Sequence, residues 1–182
     1  MMSLFFVLFG LISIVLASQD TFTLYAYGSN ISGSEVFYCQ GIAKIGAVSH
    51  AHSSNVSNVY FYEEHGTFIA NPNVTSTTAR IAASESNTSW AGLKLYIPNT
   101  SGQPLGFTAG NSSGEITTGD WHFYGEYAFI ENSAGQLESR FFAQPTDNDG
   151  VYNILWNLSD QAQLASPEVE SISIRTIAPA GI

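Results

Sequence analysis

The sequence predicts an all-β fold, a compact antiparallel β-sandwich or closed barrel of about twelve short strands, and three observations carry that expectation. Apolar and polar residues alternate with a period of two in run after run, as in Thr21-Phe22-Thr23-Leu24-Tyr25-Ala26-Tyr27 and Asn58-Val59-Tyr60-Phe61-Tyr62. Polar residues followed by glycine recur between the runs, which is what tight hairpins need where φ turns positive. No segment carries an apolar stripe at helical spacing.

The first strand covers Thr21 to Tyr27, and Glu35 to Cys39 pairs with Ile42 to Ile45 across a Gln40-Gly41 turn. Asn58 to Tyr62 and Thr67 to Ala70 follow, joined at His65-Gly66. Leu93 to Ile97 and Leu105 to Thr108 flank a turn at Ser101-Gly102, and Trp121 to Tyr124 precedes Tyr127 to Glu131. Leu137 to Gln144 starts after Ala134-Gly135, Val151 to Trp156 after Asp149-Gly150, and Val169 to Ile177 closes the series. The intervals His50 to Asn58 and Asn71 to Asn87 are polar and read as exposed loops. A β-trefoil is the rival architecture, since six hairpins suit it. The internal echo of Gly41-Ile42-Ala43-Lys44-Ile45-Gly46 in Gly66-Thr67-Phe68-Ile69-Ala70 is too loose to establish threefold repetition.

The ends and the sequons speak to the compartment. An apolar run from Leu4 to Leu16, closed by Ala17-Ser18, reads as a signal peptide over residues 1–18, leaving one all-β domain over 19–182. No Lys or Arg precedes that run, so an uncleaved N-terminal anchor is the alternative. Asn-x-Ser/Thr acceptors stand at Asn30, Asn55, Asn73, Asn87, Asn99, Asn111 and Asn157, the pattern of a secreted N-glycosylated chain. The expected location is extracellular or cell wall, with no membrane attachment after signal cleavage. Fifteen acidic residues against five basic ones give a formal net charge of −10, which excludes nucleic acid as a natural partner. With 45% hydrophobic and 13% aromatic residues the chain can bury a core, so disorder is excluded too.

The chemistry-bearing residues are sparse. His50-Ala51-His52 has a spacing that can grip a metal on extended chain, but no acidic or cysteine ligand is near in sequence, so exposed histidines are expected and no metal or cofactor is assigned. Asp147-Asn148-Asp149-Gly150 opens like a calcium loop, but runs into an apolar strand and reads as a hairpin turn. Glu63-Glu64 point to opposite faces of a strand and cannot act as a pair, and His65 belongs to the turn. Glu126 and Glu131 are a better carboxylate pair for sugar chemistry. Trp121, Tyr124, Glu126 and Tyr127 are the ligand-binding candidates, against the alternative of an aromatic ladder in the core. No catalytic residue is assigned: the Gly-x-Ser-x-Gly motif and phosphate loops are absent. Cys39, the one cysteine, is expected to be a buried, inert thiol, with an intermolecular disulfide as the alternative.

The chain resembles small secreted glycoproteins of filamentous ascomycete fungi. The residues that carry this are Phe22-Thr23-Leu24-Tyr25-Ala26-Tyr27-Gly28, Val36-Phe37-Tyr38 with Gly41 and Ile45-Gly46, Leu95-Tyr96-Ile97-Pro98 with Pro104-Leu105-Gly106-Phe107, and Asp149-Gly150-Val151-Tyr152 leading to Trp156-Asn157. A fainter likeness, in Tyr96-Ile97-Pro98 and Leu105-Gly106-Phe107-Thr108, is to fungal phialide cell-wall proteins. The resemblance implies a secreted fungal glycoprotein, and the leading expectation is a non-enzymatic role in the cell wall or extracellular space. Two alternatives stand beside it: a small-molecule carrier or enzyme with an aromatic-lined pocket, tied to secondary metabolism, and a carbohydrate-binding module. Wall polysaccharide and a small apolar ligand are the partners considered.

Overall fold

The computed structural model describes residues 20–73 and 90–180. The signal-peptide run and the sequon at Asn87 lie outside the described residues. Strands run in the order β1 (Thr21–Phe22), β2 (Tyr25–Tyr27), β3 (Ser32–Cys39), β4 (Ile42–Gly46), β5 (Val56–Glu64), β6 (Thr67–Pro72), β7 (Leu93–Pro98) and β8 (Gly106–Thr108). After them come β9 (Ile116–Thr117), β10 (Trp121–Tyr124), β11 (Tyr127–Glu131), β12 (Leu137–Glu138), β13 (Phe141–Pro145), β14 (Val151–Trp156), the short helix α1 (Asp160–Ala165) and β15 (Glu170–Arg175).

Ten of these strands close into an antiparallel barrel, in the order β2-β3-β5-β6-β7-β8-β4-β14-β13-β15 and back to β2. The β3–β4 hairpin also pairs across this ring, with Val36 opposite Ile45 and Cys39 opposite Ile42. Each of its strands changes partner along its length. β3 pairs β2 through Ser32 to Glu35 and β5 through Phe37 to Cys39. β4 pairs β14 through Lys44 to Gly46 and β8 at Ile42. The wall therefore has seams where partners part. The run read from sequence as one strand, Thr21 to Tyr27, works at such a place: β1 pairs β5, Leu24 turns into the core, and β2 pairs β3. Likewise Leu137 to Gln144 is two strands, β12 on β11 and β13 on β14 and β15.

The hairpin turns follow the sequence chemistry. Gln40 and Gly41 take φ of 52° and 85°, and His65 and Gly66 take 50° and 73°, the positive pairs of a two-residue hairpin turn. Glu63 accepts from the Gly66 N–H at 2.6 Å, which ties off the second turn.

The interior is filled by aromatic rings. Trp90 stacks on Tyr38 at 4.3 Å between centroids, Tyr38 meets Phe107 at 5.3 Å, and Phe107 faces Phe61 at 6.4 Å. Phe61 and Phe68 continue the file to Trp121, Phe141 and Trp156, the last three in steps of 6.0 Å and 5.0 Å. Strand alternation makes two smaller cores outside the barrel. Val36 and Tyr38 face in, whereas Phe37 and Cys39 face out and are covered by Ala51 and Val151. Phe142 and Leu155 face out under Leu158, Val169 and Ala162 of α1. That helix is capped by Ser159, whose hydroxyl accepts from the Ala162 N–H at 3.2 Å.

Candidate functional site

The four sequence candidates for ligand binding do not share one environment. Trp121 is 2% exposed, stacked on Phe68 and donating its indole N–H to the Leu95 carbonyl at 3.3 Å, so it belongs to the core. Tyr124, Glu126 and Tyr127 lie together at the tip of the β10–β11 hairpin, where Gly125 takes φ 60°, and Tyr124 is 74% exposed. Glu126 lies in the turn just before β11 and Glu131 at its far end, roughly 16 Å apart along an extended strand, which separates them as an acid pair. Glu131 instead receives the His122 ring, Nε2 to Oε2 at 3.0 Å. Trp90 and Trp156 are buried as well, so none of the three tryptophans is a solvent-facing platform.

The other candidates lie on turns, at the surface or in a small core. His50 and His52 are both exposed; His50 Nδ1 lies 3.1 Å from the Asp149 carbonyl oxygen, and the intervening Ala51 is buried. Among the described residues no group of three or more His, Cys, Asp or Glu side chains could hold a metal. Asp147-Asn148-Asp149-Gly150 is a turn: Val151 N–H donates to the Asn148 carbonyl at 3.1 Å and the Thr146 hydroxyl to the Val151 carbonyl at 2.8 Å. Cys39 is a free, buried thiol. Of the described sequon asparagines, Asn30, Asn55, Asn99 and Asn111 are exposed and Asn73 and Asn157 half-buried. No helix among the described residues is long and apolar enough to cross a membrane.

A polar cleft lies in the seam between β7 with its partner β9 and the ends of β11 and β14. Its volume is about 530 Å³, and its lining includes Ile97, Thr117, Asp120, Ile130, Glu131, Glu138 and Trp156. Ile97, Ile130 and Trp156 are members of the main core, so the apolar part of the cleft is continuous with the aromatic file. Trp156 is held there by backbone bonds, with its N–H donating to the Gln103 carbonyl at 3.1 Å and its carbonyl accepting from Gly102 at 2.8 Å.

The polar part is set by turns. Asn132 Oδ1 accepts from the Ala134 and Gln136 N–H groups at 2.9 and 3.0 Å, and its Nδ2 donates to Glu138 Oε1 at 2.7 Å. The side chain of Asn132 thus folds the β11–β12 turn and fixes the Glu138 carboxylate on the cleft. Asp120 takes φ 65°, a left-handed conformation that Asp tolerates, and its carbonyl accepts from the Glu131 N–H at 2.8 Å. Asp120, Glu131 and Glu138 therefore line the cleft together with Thr117, whose hydroxyl donates to Asn99 Oδ1 at 2.9 Å, beside the buried Ile97, Ile130 and Trp156.

Sequence reasoning singled out Glu131 alone among these residues. Asp120, Glu138 and Trp156 come from separate segments, and the one local signal was the Ala134-Gly135 turn.

Burial also marks the outer face of β2 and β3. Tyr25 pairs with Glu35 across the strands, and burial pushes the Glu35 carboxyl above its usual range. Burial first, and the nearby Glu35 charge second, push the Tyr25 phenol up as well.

No protein-family model matches this chain, and no curated protein and no solved structure is significantly similar to it.

Proposed function

We propose that this is a secreted, non-enzymatic glycoprotein of the fungal cell wall or extracellular space that holds a neutral carbohydrate in the β7–β11–β14 cleft. The observation that carries the reading is the composition of that cleft, three acidic residues and Thr117 lining it with Ile97, Ile130 and Trp156. A pyranose presents hydroxyls on its rim and C–H groups on its faces. Carboxylates accept from those hydroxyls with charge-assisted strength, while the small edges of Ile97, Ile130 and Trp156 left open to the cleft meet C–H groups. The volume of about 530 Å³ lies within the range of small-ligand sites.

Electrostatics selects within the class. Three acidic side chains in a chain of net charge −10 repel uronic acids and sulfated or phosphorylated sugars, which leaves neutral glycans. The aromatic file occupies the barrel interior, so a ligand meets the protein at its wall.

The test is retention of the full chain on insoluble glucan, chitin and mannan, with release by the matching soluble oligosaccharide. Retention on a neutral polysaccharide, weakened at least about tenfold by Asp120→Asn or Glu131→Gln, supports the reading. Absence of retention on all three, or consumption of the oligosaccharide, contradicts it.

A further inference from the structure

A second groove, of about 750 Å³, is lined by Tyr27, Ser32, Arg175, Ile177, Pro179 and neighbouring alanines. Its walls are apolar apart from the Ser32 hydroxyl, the Arg175 guanidinium and the Tyr27 phenol, and that phenol is already donated to the Ile177 carbonyl at 2.8 Å. Pro179 closes the far side against Gly33, where any side chain would collide with the proline ring.

Arg175 is the distinctive member. Its guanidinium carbon lies 4.7 Å from the centre of the Tyr27 ring and 4.3 Å from that of Tyr127, so aromatic rings shield it on two sides. Its Nε donates to the Ser173 hydroxyl at 3.1 Å. The chain has fifteen acidic residues, yet among the described residues no carboxylate pairs with Arg175. Even Glu35, which shares Tyr25 as a cross-strand neighbour with Arg175, is not its partner. What remains is the outer edge of the fork, the two terminal nitrogens that grip a carboxylate side by side.

We infer that this groove is a second binding site, for an amphipathic monoanion: a carboxylate on the Arg175 edge with its apolar body along Ile177, Pro179 and Tyr27. One cation argues for one negative charge, since a dianion would meet the remaining net negative field of the chain. The wall chemistry argues for an apolar body rather than a sugar. This inference is independent of the carbohydrate reading, because the two grooves share no residue.

The probe is decanoate, titrated calorimetrically into the full chain below its micelle concentration, with decyltrimethylammonium as the charge-reversed control. Saturable one-to-one binding of decanoate is expected, with little binding of the cation, and a loss of at least about tenfold in Arg175→Gln. Ile177→Glu provides a second route, since Ile177 is exposed and its replacement puts a repelling carboxylate in the groove without touching the core. It should abolish decanoate binding while the circular dichroism and the unfolding midpoint stay unchanged. Equal binding of the cation, binding undiminished in both variants, or no saturable decanoate binding overturns the inference.

Discussion

The indole nitrogen of Trp121 donates to the backbone carbonyl of Leu95 across 26 positions of sequence, joining the start of β10 to the middle of β7 inside the barrel. A tryptophan that sequence alone could place in a sugar groove is thereby a core member with its polar handle satisfied. Trp121→Phe leaves that carbonyl without the indole donor and removes part of the ring that stacks between Phe68 and Phe141. The expected cost is about 1–3 kcal/mol, read as a lowered urea midpoint. Carbohydrate retention at the β7–β11–β14 cleft should survive, since Trp121 does not line it.

Gly46 closes β4 at φ 126° opposite Val151, and a Cβ there would overlap the Gly150 carbonyl oxygen. Both the backbone angle and the space forbid a side chain. Gly46→Ala should destabilise the fold by about 2 kcal/mol or more, a larger loss than Gly114→Ala, where the added methyl meets open space and the backbone φ is not positive. Chemical unfolding of the two variants makes the comparison.

Cys39 is 5% exposed, in a small apolar core with Phe37, Ala51 and Val151. The native thiol should resist a disulfide reagent that reacts fully after denaturation, and non-reducing gels should show no covalent dimer. Cys39→Ser puts a hydroxyl into that apolar setting and should cost about 1–3 kcal/mol. Cys39→Ala should leave the fold intact.

The burial of Glu35 has a pH signature. Because its folded pKa is raised, the folded chain keeps this proton over a window in which the unfolded chain has released it. Its contribution is present below the unfolded pKa and lost as pH rises through the folded one, so an ionised Glu35 weakens the fold at neutral pH. Glu35→Gln should raise the unfolding midpoint at neutral pH, and the gain should shrink as the solution is acidified below the ordinary carboxylate range. A midpoint difference that grows on acidification would contradict this assignment.

Much of the backbone was legible in the sequence because strand alternation and turn chemistry are local. β10 and β11 begin and end at the predicted residues, and Gln40-Gly41 and His65-Gly66 have the positive φ values their composition implies. Partner exchange was not legible: Thr21 to Tyr27 alternates without interruption, yet its two halves pair with different strands, because alternation reports an extended backbone and not its neighbour. Helix α1 is six residues long, too short to show a helical stripe, although Ser159-Asp160 marks its cap. The cleft was the least legible feature. Asp120, Glu138 and Trp156 meet through the convergence of β7, β11, β12 and β14, and no local pattern records that meeting.

The central claim is that a neutral carbohydrate sits in the β7–β11–β14 cleft. Its most direct test is a nuclear magnetic resonance titration of the isotope-labelled full chain with a neutral wall oligosaccharide, following backbone amides and the three indole N–H signals. The account predicts saturable shifts at Thr117, Asp120, Glu131, Glu138 and the Trp156 indole, with the Trp90 and Trp121 indoles unmoved. Shifts confined to Tyr124, Tyr127 and Arg175, or no saturable shift at all, would contradict it.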